Sequence, residues 1–542
     1  MKYIEGKIVD VVSETIFNGV LTIKDGKIIS VKKTDKEYSE YILPGFVDAH
    51  VHIESSMLIP SEFAKLAVRH GTVATVSDPH EIANVMGEKG VEFMIEDGKK
   101  TPFKFFFGAP SCVPATFFET SGAVLDSEKV KKMLDKDDIY FLAEMMNFPG
   151  VIYGDIDIWD KINYANKLGK PIDGHAPTLQ GEDLKKYADA NITTDHESAT
   201  FKEAVEKIKL GIKLQIREGS AAKNFTALYK AIDTYPKDVM LCSDDLHPDD
   251  LAKGHINLLI KRGLNYDVNF FNILKTATYN PIKHYKLDVG LLQKGDSADF
   301  IVVEDLKSLK IKNTYIRGEL VFDGENVLID AKNTIKINKF NCTKIKEEDI
   351  IVKAEGSKIN VIEAYDGELT TKKVELVAKI VDGNVVSNPR KDILKIVVLN
   401  RYSKKSKPMI GFVRGFNLKK GSIASTIAHD SHNIIAVGTS DKDIVAAINA
   451  LCDAKGGIVV VENEKVDILP LNIAGIMTDE AGEVVVEKYK NLNKKAKKLG
   501  TKFNSPFMTL AFMALLVIPE IKIGDKGLFD VTQFTPISLF VD

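Results

Sequence analysis

Cysteine is scarce in this chain and tryptophan scarcer: the 542 residues include four cysteines and one tryptophan. Cys112, Cys242, Cys342 and Cys452 lie far apart with no C-x-x-C pair. That excludes a zinc ribbon or a disulfide scaffold and suits a reducing, cytoplasmic setting. Long apolar runs are missing too. The longest, residues 507–519 (FMTLAFMALLVIP), is well short of the ~20 residues that span a bilayer and reads as a buried core helix. The opening MKYIEGKIVD lacks the apolar centre of a secretory signal. No charge sign prevails, since 73 Lys and Arg against 76 Asp and Glu leave a net −3. Neither a nucleic acid nor a membrane surface has an electrostatic claim on such a chain. The only basic cluster noted, Lys404-Lys405-Ser406-Lys407, reads as a solvated loop, because a nucleic-acid patch needs interleaved aromatics and a wider basic field. No internal repeat or low-complexity stretch is seen. With 44% hydrophobic and 27% charged residues the chain is globular, and its length suits about three or four domains.

What is present falls into three rhythms. Residues 1–43 alternate as short strands broken by turns such as Asp25-Gly26, and residues 287–335 return to the same pattern, so the two segments are expected to share one composite small β domain. Between them, over 44–286, eight apolar runs alternate with helical patterns: FVDAH, TVATVSD, FKFFFGAP, IYFLAEMM, KPIDGHAP, NITTDH, IKLQIRE and VMLCSDD. Eight strand–helix units in ~240 residues predict an α/β fold, a TIM-like (β/α)8 barrel. Thr200 with Glu203 three residues on marks one helix start, and Gly211 its end. Residues 340–542 mix both types and are read as an additional C-terminal α+β domain. There DILKIVVLNRY is a buried strand, and Asp441–Gly456 is a helix with Ile444, Ala447, Ile448 and Leu451 on one face.

The chain has only 11 histidines, and several end the predicted strands, where a (β/α)8 barrel places its active site. His50 and His52 are two apart at the end of the first run, so both imidazoles face one side. Glu144 ends the fourth run amid apolar residues, where a carboxylate is costly unless paired or metal-bound. His175 follows the fifth run, His196 the sixth, and Asp244-Asp245 the eighth. Four imidazoles and two carboxylates, without thiolate, suit two divalent ions such as Zn, Mn or Fe. Two such ions lower the pKa of a shared water, and a nearby carboxylate takes its proton, which is the chemistry of hydrolysis. The ligands alone leave open an amide-like bond or an exocyclic ring amine. Four further groups are candidates for substrate contact: His80 and Glu81 after the second strand, Arg217 and Glu218 after the seventh. In the C-terminal part, His429, Asp430 and His432 lie within four residues and read as a lid or an extra ion site, or as a hydrogen-bonded turn. His70, His284, His247 and His255 carry no predicted role, though the last two lie near the pocket rim.

These motifs resemble the amidohydrolase superfamily, and within it the microbial adenine deaminases. The resemblance spans essentially the whole chain, through PGFVDAHVH, HVHIESSM, VSDPHEIANV, AEMMNFPGV, DGHAP, TTDHES, IREGSAAKN, FVRGF and IAHDSHNIIAVG. It implies hydrolysis of adenine to hypoxanthine and ammonia by metal-activated water attacking C6, with two ions, Mn(II) or Fe(II), in purine salvage or catabolism. Carried over by motif, His50, His52, His175 and His196 are ligands, Glu144 bridges the ions, and Asp244 is both ligand and proton shuttle. Many two-metal relatives carry a carboxylated lysine at the fourth strand; FLAEMMN has none, and Glu144 stands in its place. One-metal deaminases often place a Glu three residues after the fifth-strand His; here that residue is Thr178. Barrels of this kind often pair, so a homodimer is expected. The alternatives are a dihydroorotase- or hydantoinase-like cyclic amidase sharing the metal site, and a non-catalytic scaffold, against which every expected ligand speaks.

Overall fold

The computed structural model describes residues 1–331 and 335–541; residues 332–334, at the end of the 287–335 segment, and residue 542 lie outside the described residues. The chain opens with β1 (Lys2–Asp10), β2 (Thr15–Lys24) and β3 (Lys27–Lys33) in an antiparallel meander, and β4 (Tyr41–Pro44) runs parallel to β1. Asp25 and Gly26 both have positive φ, 50° and 76°, the conformation a tight two-residue hairpin turn needs.

The eight barrel strands follow: β5 (Phe46–Val51), β6 (Thr72–Ser77), β7 (Lys104–Ala109), β8 (Ile139–Met145), β9 (Ile172–Gly174), β10 (Thr194–Asp195), β11 (Lys213–Arg217) and β12 (Val239–Cys242). All run parallel, β5 to β9 in one ladder and β10 to β12 in another. The Thr193 N–H donates to Ile172 O (2.8 Å) and links the two ladders. The ring closes where Asp244 N–H donates to His50 O (2.9 Å) and His52 N–H to Asp244 O (3.2 Å). The closing seam thus joins two of the strand ends that carry the predicted ligands. β5 and β6 are buried along their whole length, as strands with both faces covered must be. The helix Phe201–Lys209 starts where the Thr200 side chain accepts from Glu203 N–H (3.3 Å). After the barrel, β13 (Phe300–Val303) pairs with β4, β14 (Ile311–Ile316) with β13 and β15 (Glu319–Phe322) with β14, giving a seven-stranded sheet in the order β15-β14-β13-β4-β1-β2-β3.

Beyond residue 340 an eight-stranded sheet forms around the fully buried strand Leu394–Leu399. The helix Asp441–Ala454 covers one face with Ile444, Ala447, Ile448 and Leu451. Its N-cap Ser440 accepts from Asp443 N–H (3.2 Å). The apolar run 507–519 departs from expectation. Its helix is only Pro506–Phe512, because the Met513 carbonyl turns to accept from Ile523 N–H (2.9 Å) at the strand Ile521–Gly524. The run is buried, but its second half is irregular chain over the barrel mouth. No described helix is long and apolar enough to cross a membrane.

The C-terminal part is tied to the mouth side of the barrel. Thr478 N–H donates to Met57 O (2.9 Å), Gly482 N–H to Glu62 (3.2 Å) and Thr120 N–H to Asp525 (2.9 Å). His247 is buried against the helix Gly482–Leu499, with Nδ1 hydrogen-bonded to Tyr489 Oη (2.5 Å). Burial, with His429 adding to it, lowers its pKa to about 3. The unfolded chain therefore takes up a proton near the ordinary pKa of ~6.5 that the folded chain refuses until about 3. Stability is unaffected above pH ~6.5 and falls below it, by about 1.4 kcal/mol per pH unit from this group. Urea unfolding of wild type and His247→Gln between pH 4 and 6.5 is expected to show a shallower pH slope in the variant by that amount.

Candidate metal centre and active site

Seven groups from the strand ends converge at the mouth of the barrel. β5 delivers His50 and, one step past its end, His52, with Nε2 atoms 3.2 Å apart. Asp244, just past β12, places Oδ1 3.2 Å from His52 Nε2 and 3.5 Å from His50 Nε2. Glu144, near the end of β8, lies at the centre. Its Oε2 is 3.0 Å from His175 Nδ1 and 3.1 Å from His196 Nε2; its Oε1 is 3.5 Å from His52 Nε2 and 3.3 Å from His80 Nδ1. His175 Nδ1 and His196 Nε2 are themselves 3.2 Å apart. Donor atoms 3.0–3.5 Å apart are spaced as ligands around ions with bonds of ~2.0–2.2 Å. They fall into two overlapping sets that share Glu144: His50, His52 and Asp244 on one side, His175 and His196 on the other.

The electrostatics favour cations. Burial opposes ionisation of Asp244, but Arg217 and the His50 and His52 imidazoles outweigh it and hold the carboxyl well below the usual range. Burial opposes ionisation of Glu144 as well, and His175 and His196 overcome it. The carboxylates in turn act on the imidazoles. Burial alone would lower them, yet Asp244 and Glu144 hold His52 well up, and Glu197 and Glu144 carry His175 to about 9. His196, with burial and His50 against its charged form, is lowered. A field that draws protons onto imidazoles equally draws a dication, which frees those imidazoles to act as neutral ligands. His50, His52, Glu144, His175, His196 and Asp244 can therefore hold divalent ions.

The surrounding groups fix this set. Arg217, on β11, donates from Nη1 to Asp244 Oδ2 (3.0 Å) and forks onto Glu197 with Nη2–Oε2 at 3.0 Å. Its guanidinium lines the cavity and is bound to carboxylates at the same time. Glu218, the next residue, is not brought here: it points to the other side of the strand, pairing with Arg262 (2.7 Å). His80 reaches Asp78 (3.3 Å) and Glu144 with one ring nitrogen, and Glu81 (3.4 Å) and Asp430 (3.7 Å) with the other. Glu81 is clasped by His429 through one carboxylate oxygen and by His432 through the other. The C-terminal His-Asp-Ser-His segment is thereby tied to the barrel.

Several residues at the site were not in the sequence-level set. Glu197 follows His196 directly in TTDHES, and Asp78 stands in VSDPHE; both are carboxylates beside expected site residues, and that adjacency is a readable signal. Asp245, read beside Asp244 at the end of the eighth run, accepts from Ser55 Oγ (2.5 Å) and lines the cavity. Leu369, Phe512, Leu515 and Val517, all from the C-terminal part, line its roof. Behind the ligands, the Asp195 carboxylate accepts from Ala176 N–H (2.9 Å), Glu197 N–H (3.0 Å) and buried Lys207 (2.6 Å). This ties together the loops that carry His175 and His196. Lys207→Met leaves Asp195 buried without its cation and is expected to cost about 3–5 kcal/mol, read from denaturant midpoints at pH 7.

Comparison with known proteins fits this arrangement. The amidohydrolase family profile matches residues 41–321, and the adenine deaminase C-terminal domain profile matches residues 368–535. The chain is 55% identical to an adenine deaminase of Methanosarcina acetivorans over 100% of both chains, and 55% identical to one of Methanosarcina mazei over the same share. It is 48% identical to one of Salinibacter ruber over 99% of both. A barrel with a shared glutamate among strand-end histidines, roofed by a matched C-terminal domain, places this chain in the adenine deaminase family of the amidohydrolases.

Proposed function

We propose that this protein hydrolyses adenine to hypoxanthine and ammonia at the Glu144-centred site, using two divalent ions, Mn(II) or Fe(II). What carries the choice of adenine over a cyclic amide is the full-length likeness to adenine deaminases, including the C-terminal domain that roofs the cavity. Division of labour follows the three segments: 44–286 supplies the ligands, 340–542 the roof, and 1–43 with 287–335 the supporting sheet.

Bound there, the ions supply Lewis acidity that makes a water nucleophilic near neutral pH. The protein's own groups do the rest. Arg217 occupies Asp244 Oδ2 and keeps the carboxylate ionised, leaving Oδ1 on the side of His50 and His52. Asp244 accepts a proton from the water as oxygen adds to C6, and that proton passes to ring nitrogen N1. The second water proton then moves, again through Asp244, to the C6 amine, which leaves as ammonia. The atoms balance: adenine and water give hypoxanthine with oxygen at C6 and hydrogen at N1. Glu197 holds Arg217 in place, and Leu369, Phe512, Leu515 and Val517 exclude bulk water and suit a flat apolar ring.

The test is a substrate panel on Mn(II)-loaded protein. Ammonia release from adenine, with none from dihydroorotate or hydantoin, is the expected result. Turnover of the cyclic amides with adenine untouched would replace this reading with the amidase one.

A further inference from the structure

His429 sits apart from the metal-binding set yet lines the same cavity. It comes from the C-terminal part, and its ring stacks on Phe512 with centroids 4.8 Å apart and planes at 21°. Nδ1 is bound to the Glu81 carboxylate. The other ring nitrogen, Nε2, is buried and has no hydrogen-bond partner among the described residues. A buried polar atom at a cavity wall without a partner is costly unless something in the cavity completes it.

The clasp leaves Nε2 as the free ring nitrogen of His429. Ala428 N–H donates to His432 Nδ1 (3.3 Å), so His432 carries its proton on Nε2 and gives it to one Glu81 oxygen. His432 is therefore neutral, and the remaining charge of Glu81 faces His429. We propose that His429, held through Nδ1 by Glu81, donates from Nε2 to an acceptor nitrogen of the bound purine ring, so that the C-terminal domain reads the base directly. Consistent with a donor at Nε2, burial opposes the charged ring but Glu81 and Asp245 outweigh it and raise the His429 pKa to about 9. The exocyclic amine cannot accept such a bond, and N1 must take a proton in the reaction. The acceptor is thus N3 or whichever imidazole-ring nitrogen, N7 or N9, lacks hydrogen. Phe512 sets the height of the donor by holding the imidazole against its face.

This contact rests on the proposed deamination, and its test separates the two. The kcat/KM values of adenine and of 3-, 7- and 9-deazaadenine are compared in the metal-loaded wild type, His429→Leu and His429→Gln. A lost hydrogen bond to a charged donor predicts that the wild type discriminates against one analogue by about 10- to 100-fold. That discrimination collapses in His429→Leu and returns in His429→Gln, whose amide nitrogen lies near the place of Nε2. Unaltered discrimination in a folded, fully metallated His429→Leu overturns the contact. So does a wild type that treats all three analogues like adenine, a result that needs no variant to fold. Absence of adenine turnover in the wild type would instead remove the reaction itself.

Discussion

Asp244→Asn is expected to lower kcat for adenine by about 10²- to 10⁴-fold, the range of a lost general acid–base group, while the protein still binds metal. The side chain has two functions that the geometry separates. Its Oδ1 lies 3.2 and 3.5 Å from His52 and His50, in the position of a ligand. Its ionised state, secured by Arg217 at Oδ2, is what lets it take a proton from water. Asparagine retains an oxygen for the first function and loses the second entirely. KM should change by no more than a few-fold, because none of the proposed ring contacts runs through Asp244. If Asp244 served only as a ligand, the loss of activity would track the loss of metal, and refilling the site would restore it. Measuring kcat and metal content on the same preparation distinguishes these outcomes.

Glu144→Gln is expected to act through the ions themselves. Glutamate offers an oxygen to each donor set: Oε2 faces His175 and His196, and Oε1 faces His52. Glutamine keeps one oxygen and turns an NH2 group, a donor without ligating ability, toward the other set. Bound metal should fall from two ions per chain to one or none. With the several kcal/mol of metal assistance removed, activity should drop by about 10³-fold or more. Stability should fall as well, since His175 and His196 outweigh burial and hold the Glu144 carboxyl well below its usual range. Elemental analysis after dialysis and a thermal melt give both readings. Two tightly bound ions in a folded Glu144→Gln protein would mean that Glu144 does not bridge.

The residues differ in how far their positions were legible in the sequence. The barrel was readable because each strand is a short apolar run ended by a polar residue, and a parallel strand buried on both faces leaves that signature. His50 and His52 were readable together because two-residue spacing keeps side chains on one side. The same rule separates Arg217, which faces the cavity, from Glu218, which faces Arg262, although both follow the seventh run and looked equivalent there. Glu197 carried a weak signal in its place beside His196. The roof carried none. Leu369, Phe512, Leu515 and Val517 are ordinary apolar residues in sequence, and only the folded contact between segments far apart in the chain puts them over Glu144. The run 507–519 shows the same limit. Its composition fits a helix, but the hydrogen bond from Ile523 N–H to Met513 O, which ends the helix, depends on a strand that comes later in the chain. The His429–His432 segment was visible as a cluster of chemistry-bearing residues, but its meaning waited on Glu81, nearly 350 residues away.

Metal titration of the apoprotein tests the central claim most directly. Protein stripped of metal is mixed with increasing Mn(II), and bound metal and ammonia release from adenine are read together. The account predicts no activity in the apoprotein and a rise that saturates at two ions per chain. Full activity at one ion per chain, or no ammonia from adenine at full occupancy of a folded protein, would contradict it.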